Sequence, residues 1–154
     1  MTEKQQFHIS LESPQCGWMA LSVTGGDNFV CYGASCTPFD SLGDLLRGVT
    51  ALLNGQDSLT VNWNAEPEQY DWHLQKDGEQ IVLRIVYYSD SRRDTAEARE
   101  VFVYSLLLKE LAHDVEAEVR ELQARAERDV FESNWRRPFP AAELEQLSAL
   151  RRQK

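Results

Sequence analysis

Alternation of apolar and polar positions marks seven stretches of the chain, and apolar spacings of three and four mark three more. Residues 7–11 (FHISL) alternate weakly. Residues 17–24 (GWMALSVT) set Met19, Leu21 and Val23 on one face and Trp18, Ala20 and Ser22 on the other. Gly25-Gly26-Asp27 offers a turn, since glycine reaches positive φ without steric cost, and residues 28–33 (NFVCYG) return as the second arm of a hairpin. Asp40 or Ser41 can cap a helix over 42–54, whose stripe is Leu42, Leu45, Leu46, Val49, Leu52 and Leu53, with Asn54-Gly55 as its stop.

A meander follows. Residues 58–63 (SLTVNW) place Leu59, Val61 and Trp63 on one face. Residues 69–76 (QYDWHLQK) place Tyr70, Trp72 and Leu74 inward and Asp71, His73 and Gln75 outward, and Asp77-Gly78 turns the chain into 79–88 (EQIVLRIVYY). The polar run 89–98 reads as a loop, and 99–104 (REVFVY) as a last strand feeding a helix over 106–132. That helix carries the stripe Leu108, Leu111, Val115, Val119, Leu122 and Ala126, with Glu116/Arg120 and Glu121/Arg125 as supporting i,i+4 pairs. It must stop before Pro138, and Pro140 opens a short final helix, 140–151, with Leu144, Leu147 and Leu150 inward.

These elements predict an α+β fold in a single domain, 1–154. It consists of an antiparallel sheet of six to seven strands with one crossover helix, covered by the long C-terminal helix and the short terminal one. A terminal helix that packs elsewhere, or across a dimer interface, is the alternative.

Composition adds bounds. A 154-residue chain buries roughly 70% of its unfolded surface, and 42% hydrophobic with 27% charged residues is a globular mixture. The start, MTEKQQFHISL, has neither a basic nor an apolar segment of the kind a leader needs, and no apolar run spans a bilayer. With three cysteines in no dense spacing (Cys16, Cys31 and Cys36), the expectation is a cytoplasmic protein with no disulfide framework. The net charge of −9 repels phosphate backbones, which argues against nucleic acid and for a basic protein partner. The excess is uneven: residues 1–100 hold 15 acidic and 7 basic side chains, residues 101–154 hold 10 and 9.

Catalytic and metal signatures are missing from the pattern. His8, His73 and His113 fall on different elements without metal-ligand spacing, so neither a metal nor another cofactor is expected. Cys16 or Cys31 with His73 and Asp71 would make a nucleophile site only if folding gathered them, and no Gly-x-Ser-x-Gly elbow occurs. Gly25-Gly26 lacks the lysine and helix start of a phosphate loop. Trp135-Arg136-Arg137-Pro138-Phe139-Pro140 reads as a rigid connector with Trp135 and Phe139 pinned inward, and secondarily as an aromatic–arginine clamp.

The most suggestive feature is acidic. Residues 57–79 carry six carboxylates against Lys76 alone, and the strand alternation turns Asp71 and His73 to the outer face. Glu66, Glu68, Asp71, His73 and Asp77 are the candidate partner-binding residues, forming an exposed acidic sheet face for electrostatic docking. An ordinary solvated face is the plain alternative.

The pattern Trp63-x-x-Glu66-Pro67-x-x-Tyr70-x-Trp72-x-Leu74-x-x-x-Gly78, with the strand Ile81–Tyr87 and the later Pro138-Phe139-Pro140 and leucine helix, resembles small uncharacterised bacterial proteins of mixed α/β type. In general profile (small, acidic, without catalytic motifs) the chain is also similar to bacterial immunity proteins. That resemblance implies a non-enzymatic protein-binding module that neutralises a toxin; it assigns no residue. A homo-oligomeric structural or regulatory protein, pairing through its long helix, and an enzyme of unrecorded chemistry are the alternatives.

Overall fold

A computed structural model describes residues 5–153, with Gln5 and residues 126–129 described by their backbone. The strands are β1 (Gln5–Leu11), β2 (Trp18–Gly26), β3 (Asn28–Ser35), β4 (Ser58–Asn64), β5 (Gln69–Asp77), β6 (Gln80–Tyr88) and β7 (Arg99–Leu107). The helices are α1 (Ser41–Leu53), α2 (Leu108–Asp129), α3 (Phe131–Trp135) and α4 (Ala141–Gln153). The α+β class is as the pattern predicts, and no described helix is long and apolar enough to cross a membrane.

The single large sheet is corrected to two antiparallel sheets, β1-β2-β3 and β4-β5-β6-β7. Alternation fixes which face of a strand is buried, but pairing is a long-range choice that it does not encode. Here α1 separates β3 from β4, and β3 passes over the larger sheet instead of pairing with it. Near the end of β2, opposite Asn28 at the start of β3, a Cβ added to Gly25 would sit 2.8 Å from the Tyr104 ring, so only glycine lets the hairpin lie on β7. In mid-strand, Tyr32 stacks on Tyr70 of β5 with centroids 3.8 Å apart, and Trp72 Nε1 donates to Tyr32 Oη at 2.8 Å. Beyond the end of β3, Asn64 Nδ2 of β4 donates to the Thr37 carbonyl at 2.7 Å. The small sheet thus crosses the strand order of the large one, from β7 towards β4, instead of continuing it.

The rest of the inner face is covered by helices. α1 packs on β4 and α4, and α2 packs on β1, β6, β7 and the other helices. Gly48 is where α1 touches β4: an added Cβ would meet Leu59 Cδ1 at 2.8 Å. Asp40 caps α1 by accepting from the Gly43 N–H, and Leu42, Leu45, Leu46, Val49 and Leu52 are buried; Leu53 is only half-buried. These side chains join Trp63, Trp72, Leu83, Ile85 and Phe102 in a common core.

Several boundaries shift; β2 runs to Gly26, β3 to Ser35 and α4 to Gln153. β7 continues to Leu107 because Ser105 and Leu106 still pair with Val82 and Ile81, although Leu106-Leu107-Leu108 reads as helix from sequence. The β5–β6 loop is Gly78-Glu79, with Asp77 and Gln80 already paired. The long helix ends at Asp129, where Val130 turns left-handed (φ 53°), and the short α3 follows. In the predicted α2 stripe, Leu111, Val115, Val119 and Leu122 are buried, Leu108 is half-buried against the core, and the side chain of Ala126 lies outside the described set. The connector behaves as a pin: Trp135 is buried, and Phe139 meets Phe131 edge-on at 5.2 Å. Arg137 donates to the carbonyls of Cys36 and Pro38.

Candidate functional site

The outer face of the four-stranded sheet is built by the polar half of each alternation. Cross-strand partners are Thr60 with His73, His73 with Arg84, Arg84 with Val103, and Gln75 with Val82. Among the described residues no helix or strand lies over it: Thr60, Gln75, Arg84, Val103 and Ser105 are exposed, and Val82 and Val86 half-buried. Val103 is the most accessible of the three valines, and Arg84 Nη1 beside it binds Glu100 at 2.7 Å.

One end of this face is not open. Asp71 points outward, as the alternation predicts, yet it is only 4% exposed. The loop after β6 folds back and lays Arg93 across it, with Nε and Nη2 at 2.8 and 3.0 Å from the two carboxylate oxygens. Such a fork is the strong form of the ion pair. Asn62 Nδ2 donates to the same carboxylate at 2.8 Å, and Gln69 joins Arg93 to Asn64. The hydrogen bond with Asp71 also raises the Arg93 pKa further above its already high value. Arg93 has a left-handed backbone (φ 51°), as does Glu66 (φ 35°), which non-glycine residues hold only where surrounding contacts require it. Asp71 is therefore a neutralised, buried carboxylate, and its expected role as an exposed docking charge is corrected.

The other four candidates separate. Glu66 is exposed and Glu68 half-buried in the β4–β5 connection; His73 is half-buried at mid-strand, 3.0 Å from Thr60 Oγ1; Asp77 is exposed at the far end of β5. At a rise of about 3.3 Å per residue, the two ends of β5 lie roughly 26 Å apart, so the five residues make no single patch. Instead Glu66 and Glu68 mark one end of the outer face. Asp57, Asp77 and Glu79 mark the other, held together by the Lys76 N–H on the Asp57 carbonyl. Among the described residues none of these five carboxylates has an ion-pair partner.

Sequence reasoning missed Arg93, Asn62, Asn64 and Gln69. Two successive polar cross-strand pairs, Asn62–Asp71 and Asn64–Gln69, are the signal that could have marked a covered spot. Which of Arg92 and Arg93 covers it was not legible: Arg92 instead binds Asp90 and is 84% exposed.

Chemically, the outer face offers little for catalysis. No carboxylate contacts the His73 ring among the described residues, so Thr60–His73 lacks the orienting third member of a nucleophile chain. Among the same residues no group of three or more His, Cys, Asp or Glu could hold a metal. Cys16 and Cys31 are exposed and Cys36 is buried, all as free thiols. A groove of about 800 Å³ lies between β1, β7, α2 and α4 and is lined by Phe7, His8, Tyr104, Leu106, His113 and Arg151, among others. Among its polar groups, His8 pairs with Asp114 at 3.0 Å and Arg151 with Glu116 at 2.6 Å.

The chain matches no protein-family model, no curated protein and no solved structure, so its geometry carries the functional reading.

Proposed function

We propose that the protein is a non-enzymatic protein-binding module that docks a basic partner on the outer face of the four-stranded sheet. Its sharpest form is a cytoplasmic bacterial immunity protein that neutralises a toxin by covering a cationic surface. One observation carries the reading: the face is uncovered, with Val82, Val86 and Val103 between two sets of unpaired carboxylates. An apolar centre within a charged rim is the usual anatomy of a recognition surface, and the rim charges set encounter rate and partner choice. Glu66, Glu68 and Asp77 supply the rim, with Asp57 and Glu79. His73 sits between the two ends, and Asp71 acts indirectly by holding Arg93 and the loop that borders the face.

The test is affinity capture from lysate of the native cells with the wild-type chain and with Glu66→Lys/Glu68→Lys/Asp77→Lys, eluted by a salt gradient. The expected result is one stoichiometric basic protein retained by the wild type, released by salt and lost from the triple variant. Equal retention by both chains, or none by the wild type, overturns the assignment.

A further inference from the structure

One edge of the three-stranded sheet is left open by the described residues. The Cys36 N–H donates to the Gly17 carbonyl at 2.9 Å, continuing the register that pairs Ala34 with Met19, Tyr32 with Leu21 and Val30 with Val23. Hydrogen-bonded and non-hydrogen-bonded positions alternate along an antiparallel pair, so the N–H and C=O groups of Phe29, Cys31 and Gly33 point away from β2. β3 ends its sheet, and none of the described residues bonds to those groups. Other edges are occupied. On β1 the N–H groups of Ile9 and Leu11 are taken by Asp114 and Glu118, and on β4 the Asn62 carbonyl is taken by the Ser41 hydroxyl. Along Asn28–Ser35 there is neither a charged side chain nor a proline, the usual guards of an edge. Gly33 agrees: a Cβ there would meet only Trp18, at 4.0 Å, so no contact in the fold demands glycine. Glycine within a strand marks a place where another backbone can come close.

We propose that this edge takes an extended peptide segment of a partner protein as a fourth strand, paired antiparallel to residues 29–33. Unpaired backbone donors and acceptors in this alternation are complementary to a β-strand, and main-chain bonds supply the affinity of such an addition. The large sheet supplies the second half of the site. Tyr32 of β3 stacks on Tyr70, Tyr70 meets the Tyr87 ring edge-on at 5.4 Å, and Arg99 lies over Tyr87 at 4.8 Å. The inner residues of β2 (Met19, Leu21 and Val23) are buried, whereas Tyr87 is half-buried and Arg99 exposed. This row therefore runs on beneath the open edge as a ledge. An added strand lies about 4.8 Å from β3 and sets a side chain on the ledge about every 7 Å. An apolar or aromatic residue fits against Tyr87, and a carboxylate fits Arg99, which has no ion pair among the described residues. The segment thus carries an apolar and an acidic residue on one face, unlike the basic surface sought by the larger sheet. β3 of another copy, paired antiparallel, would drive its own large sheet into the ledge, so the occupant arrives with both faces bare.

Selection from a random linear peptide library on the full chain supplies the probe, and its mode of binding is the test. Before peptide is added, the amides of Cys31 and Gly33 should exchange hydrogen faster than those of Val30 and Tyr32; selected peptides should protect them. Methylating the peptide nitrogens that face β3 should weaken binding at least about tenfold, while methylating the alternate ones should leave it nearly unchanged. That parity belongs to strand addition and leaves the protein itself untouched. Cys31→Pro removes one outward N–H where an edge strand tolerates proline, and Arg99→Glu reverses the ledge charge. Each should weaken binding by a similar factor with unchanged circular dichroism. No enriched peptide, binding indifferent to the parity of methylation, or protection confined to residues outside 29–33 overturns the proposal, as does self-association of the chain in place of peptide binding. None of these outcomes bears on the docking of a basic partner, which the capture experiment tests separately.

Discussion

Arg93 is held by the surface it covers. Its side chain is 26% exposed, while the Asp71 side chain it forks is 6% exposed. Removing one member of such a pair leaves a buried charge uncompensated, a larger cost than losing the pair itself. Arg93→Ala should therefore cost about 3 kcal/mol in chemical denaturation, and Arg93→Met/Asp71→Leu should recover a large part of that. A single substitution no worse than the double would contradict the clamp. The core offers a second contrast. Trp72 Nε1 bonds Tyr32 Oη, whose phenol burial pushes well above its ordinary pKa despite that bond, whereas Trp63 Nε1 is buried with no partner. Trp72→Phe should thus be more destabilising than Trp63→Phe by about 1–2 kcal/mol, since only the first breaks a hydrogen bond. Comparable losses on urea melts would mean that Trp63 has a partner in solution. The orientation of Asp71 was legible from alternation alone; its burial was not, because that depends on a loop 22 residues away in sequence.

Among the elements, β1 shows how an edge is closed. Its outward N–H groups at Ile9 and Leu11 donate to Asp114 and Glu118 of α2 at 2.7 and 2.9 Å, and Arg125 donates to the Leu11 carbonyl. Carboxylates thus occupy the pairing sites that an open edge would offer to another chain. His8 joins this latch. Its hydrogen bond to Asp114 raises its pKa above 6.5; partial burial opposes this, and the charges of Asp114, Glu118 and Glu121 add to the rise. A raised folded-state pKa contributes stability that is present below about pH 6.5 and lost as pH rises through the folded value. The stability difference between wild type and His8→Gln should therefore be larger at about pH 5.5 than at about pH 8, and a difference independent of pH would remove His8 from the latch. Every predicted strand exists, because alternation is a local signal. The division into two sheets was hidden, since it rests on Tyr32 meeting Tyr70 and on Gly25 admitting Tyr104, contacts between residues far apart in the chain. The α2 stripe was legible, but its covering partners were not: β1 and α4 take the surface that a helix-mediated dimer would have needed.

For the whole molecule, the outer face of the four-stranded sheet is apolar at its centre and acidic at its ends. The candidate site was half legible. Glu66, Glu68 and Asp77 stand exposed or half-exposed, but a strand's length separates them, and sequence proximity hid that distance. The two ends lie further apart than the Debye length of about 8 Å at physiological salt, so each acidic cluster acts on its own there, and both pull on an approaching cationic surface at low ionic strength, where that length reaches about 30 Å. The electrostatic part of binding should therefore appear in the association rate. The decisive measurement is the association rate constant of the captured partner across a range of ionic strength, for the wild type and for Glu66→Lys/Glu68→Lys/Asp77→Lys. Docking on the acid-rimmed face predicts a wild-type rate that falls steeply with salt, and a variant that is slower at low salt and nearly flat. Superimposable rates and slopes for the two chains would place the partner elsewhere and contradict that docking.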